Sequence, residues 1–151
     1  MADRVQFELV TPERLLISTD VEMVVVPGTE GNFGVLPGHA PLISTIRPGT
    51  VDIYETRPSI SQRIFVASGI CEVTPERCTV LADDAMAPDV LDRALLDAEL
   101  TEVEGNLPSL REQVGRAAGT ERERLLVELR QLERQQAVAR AKLTVIVEIS
   151  R

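Results

Sequence analysis

The hydrophobic period of this chain changes abruptly at Met86-Ala87-Pro88, and that change constrains the fold more than any other feature. Before it, apolar residues repeat every second position. Val5, Phe7 and Leu9 alternate with Arg4, Gln6 and Glu8, and Val21, Met23 and Val25 repeat the pattern. A period of two is that of a strand with one face buried. Val51-Asp52-Ile53 and Arg63-Ile64-Phe65-Val66 read as further short strands. Between them stand Pro27-Gly28, Glu30-Gly31-Asn32, Pro37-Gly38, Pro48-Gly49 and Thr74-Pro75-Glu76, turn signals at the spacing of an all-β sandwich or barrel. Seven of the nine prolines precede Met86, as turns and strand edges require.

After the break the spacing is helical. Asp89 is placed to cap a helix, with Asp92 in its first turn, and Leu91, Leu95 and Ala98 form an apolar stripe. Gly105-Asn106 and Pro108 are expected to end that helix, leaving Ser109–Ala117 as a short helical turn. Thr120 followed by Glu123 predicts a capping box at the start of a second helix. From there Leu125, Leu129, Leu132, Gln136, Ala139, Leu143 and Ile146 advance by alternating fours and threes, a heptad seam suited to one partner helix. A short connection makes the preceding helix that partner, antiparallel to it. The expected architecture is a β-sandwich of roughly ten short antiparallel strands over residues 1–87, followed by an antiparallel helical hairpin over 88–151. So narrow a seam leaves the hairpin marginal by itself, because ordering a helix costs ~1–2 kcal/mol per residue.

Composition narrows the function. The net charge is −8 and no basic stripe is present, which argues against nucleic acid and anionic membrane surfaces. No apolar run approaches the ~20 residues of a membrane span, so no direct membrane insertion is expected. The opening MADRVQFELV holds both an acid and a base and no apolar core, so no secretory signal is expected. Cys71 and Cys78 are the only cysteines. A hairpin turning through Thr74–Arg77 sets Val73 opposite Cys78 and Cys71 opposite Val80, so the expectation is two buried thiols rather than a disulfide. With His39 the single histidine, a zinc site lacks ligands. A catalytic His39 lacks a nucleophile or carboxylate partner at motif spacing, so hydrogen bonding within its loop is the expected role.

Three stretches carry a family resemblance. EGNFGVLPGHAPLISTIRPG at Glu30–Gly49 resembles the signature loop of the ATP synthase epsilon subunit. VASGICEVTPERCTVLADDA at Val66–Ala85 resembles the closing hairpin of that family's sandwich, and MADRVQFELVTPERLLIS its first strand and turn. Gly31, Gly34 and Gly38 in the signature are expected to need backbone angles that a Cβ penalises. The helical part is similar in architecture, and in residues at ARAKLTVIV, Ala139–Val147.

The resemblance implies a non-catalytic rotor-stalk subunit without a cofactor. It would be held peripherally on the cytoplasmic face of a bacterial inner membrane. It implies partners as well: the gamma subunit against a sandwich face and edge, and the c-ring against the loop of Glu30, Gly31, Asn32 and His39. The family commonly carries an acid where this chain has Asn32, with Glu30 the nearest carboxylate. In related bacterial subunits the hairpin extends into the catalytic alpha/beta head and hinders hydrolysis. Arg122, Arg124, Arg130, Arg134 and Arg140 are the basic residues available for such a contact. A solvated face with internal pairs Glu121–Arg124 and Arg130–Glu133 is the competing reading. Some members close the hairpin on ATP through a Leu/Ile-Asp-x-x-Arg-Ala pattern. Leu91-Asp92-Arg93-Ala94 lacks the two-residue spacer, and Asp89 with Arg93 is the nearest substitute, one that also reads as an ordinary surface pair.

Overall fold

The computed structural model describes residues 3–150, which divide into two compact units after Val90. The first holds ten strands: β1 Val5–Val10, β2 Leu15–Val21, β3 Met23–Gly28, β4 Gly31–Val35, β5 Leu42–Ile46, β6 Gly49–Tyr54, β7 Gln62–Val66, β8 Gly69–Val73, β9 Arg77–Ala82 and β10 Ala85–Met86. They pair in the order β10-β7-β6-β3-β5-β8-β9-β1-β2, with β4 on β3. The β3–β5 junction rests on a single pair, Gly28 with Ile46, whereas β3 pairs three residues with β6 and five with β4. This thin junction divides the path into the two layers of a sandwich. All pairings are antiparallel except β1 with β9, which runs parallel over Gln6–Val10. Strands so distant in sequence need no tight turn between them, so nothing forces the antiparallel sense.

Val5, Phe7, Leu9, Val51, Ile53, Val73 and Val80 fill the core, as the period of two requires. In β3, however, Val24 and Val26 point inward and Met23 and Val25 are half-buried. The expected phase of Val21, Met23 and Val25 therefore fails after Val21. β2 ends there and β3 begins at Met23, so Glu22 at the corner resets the alternation. The β8–β9 register is the expected one, Cys71 against Val80 and Val73 against Cys78. Both thiols are free and buried, and their Sγ atoms lie 3.7 Å apart across the diagonal. The hydrogen bond to Cys71 and burial push the Cys78 thiol far above its usual range.

A one-turn 3-10 helix at Pro88–Val90 ends this unit, and the second unit is a hairpin of two long helices, α1 Arg93–Arg116 and α2 Gly119–Ile149. Asp92 caps α1, its Oδ1 accepting from the N–H groups of Ala94 and Leu95, so Asp89 is not the cap. The helix does not stop at Gly105-Asn106 or Pro108. It runs through both and through Gly115. Its inward stripe is Leu96, Leu100, Val103, Leu107, Leu110 and Val114, with Leu100 and Leu110 half-buried and the others buried, not Leu91, Leu95 and Ala98, and Leu95 is 69% exposed. Fours and threes alternate along that stripe as they do on α2, and two matching seams outweigh the local breakers. Only Ala117 and Ala118 link the helices, and Ala118 is the N-cap of α2, so Thr120 lies inside the helix and no Thr120–Glu123 box forms. Every expected α2 seam position is buried or half-buried, Leu125 and Ala139 fully, but near the end of the helix the buried residue is Val145, between the half-buried Leu143 and Ile146 of the expected seam.

Candidate partner-binding surfaces

Three surfaces stand out once side chains are placed. The first is a row on the outward face of β5-β8-β9-β1-β2. Ile70 pairs with Leu81, Leu81 with Val10, and Val10 with Leu15, so four apolar side chains line up across four strands. Ile43, 73% exposed, extends the row diagonally from β5, where its neighbour Thr45 pairs with Ile70. Ile70 and Leu81 are each 46% exposed. A contiguous apolar row on an otherwise polar sheet face is the chemistry of a candidate docking surface. Reading the strands for inward residues alone leaves this row unseen. Its signal in the sequence is the apolar residue at an outward position, as at Ile43, Ile70 and Leu81.

The second surface is the β3–β4 turn, which carries Glu30, Gly31 and Asn32. Gly28 pairs with Gly31, leaving Thr29 and Glu30 at the tip. A Cβ at Gly28 would lie 2.8 Å from the Gly31 carbonyl oxygen and 2.9 Å from the Phe33 ring, so only glycine permits this closure. The Thr29 N–H donates to the Thr45 carbonyl at 3.1 Å, and the two threonine hydroxyls lie 2.9 Å apart. Glu30 is exposed and has no ion-pair partner among the described residues. Asn32 Oδ1 accepts from Arg47 at 2.5 Å. His39 lies seven residues further on, after β4. It is half-buried, its backbone N–H donates to Leu36, and its Nδ1 lies 2.7 Å from the Ala40 carbonyl. Both contacts stay within its own turn. Of the three signature glycines, Gly31 (φ 133°) and Gly38 (φ 81°) hold the expected angles, while Gly34 does not.

The third surface is the hairpin's charged face. Arg140 bonds Glu104 at 3.3 Å and Arg111 bonds Glu133 at 3.5 Å, tying the helices one heptad apart in opposite senses. Arg124 is held by Glu121 at 2.7 Å, with Glu128 at 3.9 Å, and Glu121 raises its pKa. Glu133 thus serves Arg111 rather than Arg130. Among the described residues Arg122 and Arg130 have no acid partner, so of the expected basic set these two keep an uncommitted charge. Arg134 is exposed and already engaged. Arg93 lies 4.0 Å from Asp97, one turn on within α1. Among the described residues there is no cluster of three potential metal ligands, and no helix is long and apolar enough to cross a membrane.

Comparison with known proteins places the chain in a family. Residues 4–88 match the family model described as ATP synthase, Delta/Epsilon chain, beta-sandwich domain. The chain is 48% identical over 147 residues to the ATP synthase epsilon chain of Rhodospirillum centenum, covering 97% of this chain and 94% of that one. It is 52% identical over 107 residues to the epsilon chain of Rhodospirillum rubrum, covering 71% and 79%. A solved assembly of OSCP, F1 and c-ring from the Euglena gracilis mitochondrial ATP synthase contains a chain of the same fold. That match has a TM-score of 0.62 at 17% identity and covers 91% of this chain and 82% of that one. With a sandwich that fits the family model and a relative that spans both sandwich and hairpin, the chain belongs to the epsilon-chain family of ATP synthases.

Proposed function

We propose that the chain is a non-catalytic central-stalk subunit of a proton-translocating ATP synthase. It joins the gamma subunit to the c-ring on the cytoplasmic face of a bacterial inner membrane, and its helical hairpin restrains ATP hydrolysis by the catalytic alpha/beta head. The observation that carries this reading is the outward apolar row Ile43, Ile70, Leu81, Val10 and Leu15. A stable sheet gains nothing from displaying such a row to water, and it suits the apolar centre of a protein interface. The row is assigned to gamma, the β3–β4 turn with Glu30, Gly31, Asn32 and His39 to the c-ring, and Arg122 and Arg130 to acidic loops of the head. No nucleotide-holding role is assigned to Asp89 and Arg93, because Asp97 competes for the guanidinium.

The test uses the reassembled enzyme. Leu81→Glu and Ile70→Glu place a charge in the row, where each apolar side chain is half-exposed before docking. Forfeiting about 1 kcal/mol of apolar burial and adding the desolvation of a carboxylate weakens gamma binding about 100-fold. Undiminished binding by both variants would remove the row from the gamma interface. Deleting residues 91–151 leaves the sandwich unit intact and raises ATP hydrolysis by the reassembled enzyme. No increase on deletion would show that the hairpin is not an inhibitor here.

A further inference from the structure

The β3–β4 turn is clamped from outside its own hairpin. Arg47 follows β5, nineteen residues beyond Gly28, and its guanidinium donates one N–H to the Gly28 carbonyl and another to Asn32 Oδ1. The two acceptors flank Thr29-Glu30-Gly31 on either side, so one side chain closes the base of the turn. The Arg47 backbone is anchored as well, its N–H donating to the Pro27 carbonyl at 2.9 Å. Among the described residues neither Arg47 nor Glu30 has an ion-pair partner. Asn32 is a neutral acceptor. It holds the guanidinium in place without cancelling its charge, whereas a carboxylate there would form a charge-assisted pair and neutralise it.

We propose that Arg47 is the positioning residue of the ring-facing turn, and that it and Glu30 form a fixed cation–anion pair of docking points kept distinct by Asn32. A guanidinium has five N–H donors in a rigid fork, so two bonds within the turn leave donors for a partner. The partner surface that fits is a polar loop offering an acceptor to Arg47 and a donor to Glu30. The clamp stands on the geometry of the turn alone. Its docking role rests on the assignment of this turn to the c-ring.

The two parts are tested separately on the full chain. Amide hydrogen exchange of the free chain reads the clamp. Arg47→Ala accelerates exchange of residues 29–33 at least tenfold with the β8–β9 amides unchanged. Arg47→Lys, a point charge without the fork, gives an intermediate rate, and Asn32→Asp leaves the turn as protected as before. Unchanged exchange in Arg47→Ala overturns the clamp. Binding to membranes carrying ATP synthase stripped of its epsilon subunit reads the docking pair. Arg47→Ala weakens binding about tenfold and Arg47→Lys recovers part of the loss. Asn32→Asp also weakens binding although its turn stays ordered, an effect that a merely structural role for Arg47 would not produce. Binding of Asn32→Asp at the strength of the unaltered chain overturns the need for an uncancelled cation. If Arg47→Ala and Glu30→Gln both bind normally while exchange in Arg47→Ala rises, the turn does not face the ring and the docking pair falls, with the clamp intact.

Discussion

Pro108 offers the sharpest test of what holds the hairpin together. It lies in the third turn from the end of a 24-residue helix, exposed, between the seam residues Leu107 and Leu110. A proline there has no N–H to give the Glu104 carbonyl, and its ring crowds that carbonyl, at a cost of about 3 kcal/mol relative to alanine. Pro108→Ala restores the donor without touching the seam. Part of the gain is offset because alanine frees the unfolded chain by ~0.4–1 kcal/mol, so the net stabilisation is about 2 kcal/mol. Gly105→Ala, one turn earlier, adds about 0.5–1 kcal/mol, and nothing lies within 4 Å of the new Cβ. Together they reach about 3 kcal/mol. The assay is amide hydrogen exchange across Arg93–Arg116, where opening of the hairpin sets the rate. Exchange there slows about 30-fold in Pro108→Ala and about 150-fold in the double variant, with the sandwich amides unaffected. Equal or faster exchange in Pro108→Ala would refute the reasoning. It would mean that α2 packs against a bend the proline creates and that straightening α1 costs the seam more than the backbone gains.

Two further outcomes are expected. Gly69→Ala puts a Cβ 2.1 Å from the Leu81 carbonyl oxygen at a backbone φ of 155°, where the backbone opposite leaves no room. The sandwich loses at least ~3 kcal/mol, read as a fall in melting temperature of about 12 °C or more, and a fall under about 3 °C would show that β8 and β9 separate readily there. The buried Cys78 thiol holds its proton in the folded chain well above its ordinary value of 9.0. The unfolded chain releases that proton first, so it binds fewer protons than the folded chain and stability falls as pH rises through 9. Urea unfolding at pH 7.5 and 10 registers this as a drop approaching about 1.4 kcal/mol per pH unit that Cys78→Ala lacks, and equal slopes in the two proteins would deny the thiol a part.

The sandwich was legible because its information is local. A strand needs only alternation and a turn at each end, and both are written into Val5–Leu9, Val51–Ile53 and the β8–β9 hairpin. Local reading failed where a distant partner sets the outcome. Gly105, Pro108 and Gly115 each favour ending α1, and a window centred on any of them sees a breaker. The helix continues because Leu96, Leu100, Val103, Leu107, Leu110 and Val114 repeat in the same heptad phase as the α2 seam. That pattern shows only when the whole segment is set beside the second helix. Asp89 and Asp92 are equally good caps by type, and the choice of Asp92 follows from where the Leu96 seam starts.

The β3–β4 turn shows the same division in its chemistry. Glu30, Gly31 and Asn32 are visible as a turn from composition alone, yet their sequence neighbours do not hold them. Arg47 does, from a segment that reads only as an Arg-Pro-Gly turn into the next strand. It reaches Gly28 and Asn32 because β3 pairs with β6 near its start and with β5 at Gly28, which brings the end of β5 beneath the β3–β4 turn. A change of acid to amide at position 32 therefore acts through an arginine fifteen residues away. With a carboxylate the turn would carry Glu30 as its one uncompensated charge. With Asn32 it carries both an anion and a cation, at full strength and in fixed positions. The charge that this turn displays is thus set by the arginine that Asn32 leaves charged as much as by the residue at position 32 itself.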